Sequence, residues 1–79
     1  MDITILGSGC ANCRALEAAA REAAADLGID ASFDHVTDPG QIASWGVMKT
    51  PALVIDDEVV VSGRVPTTAA VRELLASHR

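Results

Sequence analysis

The spacing of apolar residues along this chain switches between about two and about 3.6, and each switch marks an element. Asp2 to Leu6 (DITIL) is short and β-branched and is ended by Gly7-Ser8-Gly9, which predicts a strand followed by a tight turn. From Ala11 to Leu27 the period is helical. Leu16, Ala20, Ala23 or Ala24, and Leu27 line one face, while Arg14, Glu17, Arg21 and Glu22 cover much of the rest. Glu17 and Arg21 stand four apart in the order that favours an ion pair, and Gly28 suits a C-terminal cap. Ile29 to Val36 (IDASFDHV) alternates, with Ile29, Ala31, Phe33 and His35 on one side, which predicts a half-buried or edge strand. Asp38 and Pro39 supply the cap and first residue of a second, shorter helix, which Gly46 closes after Trp45. Ala52 to Ile55 is continuously apolar, as in a strand buried on both faces. Asp56-Asp57-Glu58 forms a polar turn, and Val59 to Val61 is its hairpin partner, ended by Ser62-Gly63. Thr67 caps a final helix whose buried side carries Val71, Leu74 and Leu75.

The predicted order is β-α-β-α-β-β-α, an α/β class. A right-handed crossover makes the first two strands parallel neighbours, and the last two form an antiparallel hairpin. The apolar runs Ile3–Leu6 and Ala52–Ile55 call for central positions, and the alternating strands for the edges. The expectation is a four-stranded mixed sheet with helices on both faces. At 79 residues, without repeats or linkers, the chain 1–79 is expected to form one domain.

Composition narrows the possibilities. Hydrophobic residues make up 49% of the chain, so a core needs no disulfide framework. A bridge between Cys10 and Cys13 would close a tiny loop and stabilise little. The net charge is −5 and the six basic residues are scattered, which disfavours nucleic-acid binding. No apolar stretch approaches a membrane span, and the N-terminus lacks the pattern of a signal peptide. A cytoplasmic protein with reduced thiols is expected.

The candidate chemistry lies in Cys10-Ala11-Asn12-Cys13, between a predicted strand and a predicted helix. Residues i and i+3 of a helix share a face, so both thiols can point the same way. A helix N-terminus exposes unpaired N–H groups and the positive end of the macrodipole, which favour a thiolate. Such a motif suits dithiol/disulfide chemistry or a soft metal ion. Two thiolates suit copper(I), and the Gly7 to Cys13 segment also looks like the loop of heavy-metal-associated domains. That family runs β-α-β-β-α-β and has no helix where Asp38 to Trp45 falls. A structural zinc site would need four ligands, and the two histidines have no suitable spacing. A non-catalytic adaptor is the third class. Several other residues have simple structural roles by their positions. His35 is read as a half-buried packing residue, His78 as solvated, and Trp45 as a packing anchor. Met48 is read as a gap filler, and Asp56-Asp57-Glu58 as a solvated hairpin tip.

Three features together resemble the thioredoxin/glutaredoxin superfamily, in its compact prokaryotic "redox-active disulfide" type. They are Cys10-Ala11-Asn12-Cys13 at the strand-to-helix junction, Thr50-Pro51 before the central hairpin strand, and the Gly63 turn leading into the last helix. The segments Gly7-Ser8-Gly9-Cys10 and Val47-Met48-Lys49-Thr50-Pro51 match that type most closely. Thioredoxin proper has Trp where this chain has Gly9, Gly-Pro in place of Ala11-Asn12, and a buried acid in place of Thr4. Glutaredoxins follow the hairpin with Gly-Gly and an acidic helix start, where this chain reads Ser62-Gly63-Arg64-Val65-Pro66. The resemblance implies a thioredoxin-like fold with a cis peptide bond before Pro51.

The leading expectation is thiol–disulfide exchange, with Cys10 as nucleophile and Cys13 as resolving thiol. Lys49 is a candidate cation favouring the thiolate, or an ordinary loop lysine. The resemblance implies that the backbone at Thr50 pairs with an extended substrate. No cofactor beyond the Cys10–Cys13 disulfide and no metal is expected. The expected partners are a protein disulfide substrate and a protein reductase, with the chain acting as a monomer.

Overall fold

The structure is a computed structural model describing residues 1–7 and 11–78. Its elements are β1 (Asp2–Leu6), α1 (Ala11–Leu27), β2 (Ser32–Val36), α2 (Pro39–Ser44), β3 (Ala52–Ile55), β4 (Glu58–Ser62) and α3 (Thr68–His78). The four strands form a single sheet in the order β2-β1-β3-β4. β1 runs parallel to β2 and antiparallel to β3, and β3 and β4 form the hairpin. This is the mixed α/β sheet that the burial pattern predicts. β3 is buried at all four positions and lies inside, while β2 and β4, each with solvent-facing residues, form the edges.

The sheet separates two layers of core. On one face Ile3, Ile5, Leu53, Ile55 and Val61 pack against Leu16, Ala20, Ala23 and Ala24 of α1 and Val71 and Leu75 of α3. On the other, Leu6, Ala52 and Val54 meet Ile42 of α2 and Val47, with Trp45 packed at the margin. The alanines of α1 let that helix approach the sheet closely. Arg72 of α3 reaches Asp26 of α1 at 2.9 Å and ties the two helices on their shared face. α2 starts as its sequence predicts: the Asp38 carboxylate accepts from Gly40 N–H at 2.9 Å, and Pro39 occupies the first turn.

Four details depart from the pattern-based expectation. β2 begins at Ser32, not Ile29, because ladder pairing needs a neighbour. Asp2, the first residue of β1, lies opposite Ser32, and Ser32 N–H donates to the Met1 carbonyl at 2.9 Å. β4 is longer than Val59–Val61 and carries a bulge: Leu53 faces Val61, but the next residue, Val54, faces Val59. Val60 is thus the extra residue, and it packs on the same layer as Val61, which strict alternation would forbid. Asp56 is not simply a solvated tip. Both it and Asp57 take positive φ (48° and 69°), the geometry of a tight two-residue hairpin, and the Asp56 carboxylate accepts from Asp2 N–H at 2.8 Å. His78 is only about a fifth exposed and is docked: Nδ1 faces the Leu74 carbonyl at 2.9 Å, and Nε2 faces the Glu58 carboxylate. The His35 side chain is about a third exposed, and its Nδ1 stands 3.3 Å from Glu17 Oε1.

Candidate functional site

Three element ends meet at the carboxyl end of β1. Gly7 follows that strand directly and keeps its backbone in register by donating N–H to the Val36 carbonyl at 2.9 Å. Cys13 lies in the first turn of α1 and is fully buried. Pro51, also buried, stands immediately before β3, and the Thr50–Pro51 bond is cis. The closeness of the three is measurable. A methyl group built on Gly7 would lie 2.2 Å from Cys13 Sγ, 3.3 Å from Cys13 Cβ and 3.9 Å from Pro51 Cα. The Cys13 sulfur therefore occupies the space that a side chain at position 7 would fill, and Pro51 borders that space at ordinary contact distance. Cys10, together with Ser8 and Gly9, lies outside the described residues.

The first turn of α1 contains no acidic residue. The exposed N–H groups and dipole of this turn therefore meet no carboxylate on the same turn. Arg14 is the first charged side chain of the helix.

The loop before Pro51 is clamped from the opposite side by the turn after β4. Gly63 N–H donates to the Pro51 carbonyl at 2.9 Å, and the Ser62 hydroxyl donates to the Lys49 carbonyl at 3.2 Å. Gly63 adopts φ +78°, and its missing Cβ would stand 2.9 Å from Lys49 Cβ. The aliphatic stem of Lys49 thus lies across Gly63. Among the described residues no carboxylate pairs with Lys49, so its ammonium is available to other anions. Thr50 is exposed beside it.

Next to Thr50 opens a cleft of about 270 Å³ lined by Thr37, Pro39, Ile42, Ala43, Val47, Met48 and Thr50. This is below the usual range for sites that hold a drug-sized ligand or cofactor, and is of a size to take a side chain or two. Met48 corrects its expected role as a gap filler, because it is 97% exposed at the rim. Its neighbour Val47 packs in the layer under α2, while Met48 turns out to solvent. Of the sequence candidates, Cys13 and Pro51 come together, while Lys49 and Thr50 lie on the exposed loop leading to them. Gly7 and Met48 are the additions. Met48 could have been suspected from its position next to Lys49-Thr50. Gly7 stood in the sequence only as part of the turn before Cys10; its contact with Cys13, six residues on, depends on how α1 packs back on the end of β1.

The element order ends on a helix and includes α2, unlike the β-α-β-β-α-β order of heavy-metal-associated domains, so the copper-binding reading is not favoured. Among the described residues no group of three or more His, Cys, Asp or Glu side chains is gathered as a metal-binding set. None of their helices is long and apolar enough to cross a membrane.

Comparison with known proteins agrees with the fold. A family model described as "Thioredoxin domain" matches residues 1–76. A protein named thioredoxin from Methanothermobacter thermautotrophicus is 42% identical over 76 residues, covering 96% of this chain and 99% of that protein. A second protein named thioredoxin, from Methanocaldococcus jannaschii, is 38% identical over 76 residues, covering 96% of this chain and 87% of the relative. With a family model matching nearly its whole length and two relatives 42% and 38% identical, this chain, of β-α-β-α-β-β-α fold, belongs to the thioredoxin-domain family and has a thiol–disulfide oxidoreductase kind of function.

Proposed function

We propose that the protein passes an electron pair between its Cys10/Cys13 dithiol and a disulfide in a protein partner. Cys10, as thiolate, attacks one sulfur of the substrate disulfide. That S–S bond breaks, the leaving thiolate takes up a proton, and a Cys10–substrate mixed disulfide forms. Cys13 then loses its proton and attacks Cys10. The mixed disulfide breaks, the second substrate thiol is released, and the Cys10–Cys13 disulfide remains. A protein reductase restores the dithiol by the reverse pair of exchanges. The disulfide itself carries the electrons, so no further cofactor is invoked.

The observation that carries this reading is the placement of Cys13: a buried thiol in the first turn of α1, seated against Gly7 in a space that Pro51 borders. A buried thiol suits the resolving role, because a bulky substrate cannot reach it. The exposed backbone at Thr50 suits pairing with an extended substrate segment, and the Lys49 ammonium suits support of a nearby thiolate. The apolar cleft beside Thr50, with Met48 on its rim, suits a side chain flanking the substrate disulfide.

The test is trapping. Cys13→Ser should accumulate a mixed disulfide on Cys10 that reducing agent releases, while Cys10→Ser should trap nothing. Wild-type protein should cycle between forms differing by two mass units. If Cys13→Ser traps no partner and the wild type transfers no electrons to any disulfide, the exchange reading fails.

A further inference from the structure

The glycine at position 7 is not explained by its backbone. The described glycines with positive φ are Gly28, Gly46 and Gly63; Gly7 is not among them, so an L residue could adopt its conformation. Its N–H bond to Val36 would also survive in any residue but proline. What position 7 cannot accept is volume. The place of its Cβ lies 2.2 Å from Cys13 Sγ, far inside any non-bonded contact, whereas Pro51 Cα at 3.9 Å would be an ordinary neighbour. Both Gly7 and Cys13 are buried, and the clash falls on the end of the Cys13 side chain, so a side chain at position 7 is accommodated only by moving the sulfur from its present place.

We propose that Gly7 is a positioning residue for the resolving thiol: the absence of its side chain forms the seat in which Cys13 Sγ rests beside Pro51. This inference rests on the exchange reading. Held in that seat, Cys13 is shielded from external disulfides and is set for one reaction, attack on the Cys10 sulfur of the mixed disulfide. A methyl group at position 7 would force the sulfur to move by an ångström or more. Misplacement on that scale costs a reacting group on the order of 10²-fold in rate.

Ellman's reagent separates the two steps. Attack by the Cys10 thiolate breaks the reagent's S–S bond, releases one thionitrobenzoate and leaves a mixed disulfide. Attack by Cys13 on Cys10 then releases the second thionitrobenzoate and leaves the Cys10–Cys13 disulfide. Gly7→Ala should release the first equivalent within about twofold of the wild-type rate and the second on the order of 10²-fold more slowly. A second release as fast as in the wild type would overturn the proposal. A wild-type protein that never releases the second equivalent would count instead against the exchange reading. A stability cycle tests the contact independently of catalysis. Gly7→Ala should lower Tm clearly in the wild type and far less in Cys13→Ala, where the sulfur is gone. An equal loss in both backgrounds would show that something other than the Cys13 sulfur occupies the seat.

Discussion

Met48→Asp isolates substrate docking from chemistry. Met48 is 97% exposed, so the substitution removes almost no packing, and stability should change by less than about 0.5 kcal/mol. If a substrate side chain covers Met48 and enters the adjoining cleft, binding buries a methionine surface that is now in water. Full burial of such a side chain contributes about 1.5–3 kcal/mol, and partial cover about 1–2 kcal/mol. Aspartate loses that contribution and adds a carboxylate that must be desolvated, in a protein already at −5. The expected result is a loss of about 5–30-fold in kcat/KM toward a protein disulfide such as insulin, carried by KM. Ellman's reagent, too small to span Met48 and the dithiol, should react at the wild-type rate. Equal losses for insulin and Ellman's reagent would place Met48 in the chemistry and refute the docking argument. An unchanged KM for insulin would show that the cleft is not used.

Two further outcomes follow from contacts around the hairpin. The Glu58 carboxylate and the Leu74 carbonyl both face His78, so its ring is satisfied at both nitrogens only as imidazolium, and its pKa lies above the ordinary 6.5. A pKa raised by folding stabilises the protein fully below the unfolded value near 6.5, and that stabilisation is lost as pH rises through the folded value. Urea unfolding should therefore show stability falling over that window, and His78→Gln should flatten the fall; an unchanged slope would remove His78 from the pH dependence. Gly63→Ala should destabilise by about 1–3 kcal/mol, since the left-handed φ of +78° penalises a side chain. The new methyl would also press on Lys49, with its position 2.9 Å from Lys49 Cβ. An unchanged Tm would show that the Gly63 turn does not clamp the loop before Pro51.

The core was legible because each element announces its own apolar face. The period of α1 places Leu16, Ala20 and Ala23 on the buried side, and the unbroken Ala52–Ile55 run marks an interior strand. The candidate site was legible only as a motif and a proline, Cys10 to Cys13 and Pro51, whose pairing rested on resemblance; the structure brings Cys13 and Pro51 to the same end of β1. His78 and Asp56 looked solvated because each sits at an element end, where local pattern says nothing about a distant partner such as Glu58 or Asp2. The bulge at Val60 was hidden for the same reason: the register of β4 is decided by β3, not by β4 alone.

By itself, the sequence determined the type and order of the elements and which strands lie inside, because periodicity and burial are recorded residue by residue. Only the tertiary structure decided which atoms face each other across elements. Cys13 sulfur fills the place of a side chain at Gly7, Pro51 borders that place, and Met48 turns outward while its neighbour Val47 packs in the core. Close packing makes such pairings specific to a fraction of an ångström, and no one-dimensional pattern carries that distance.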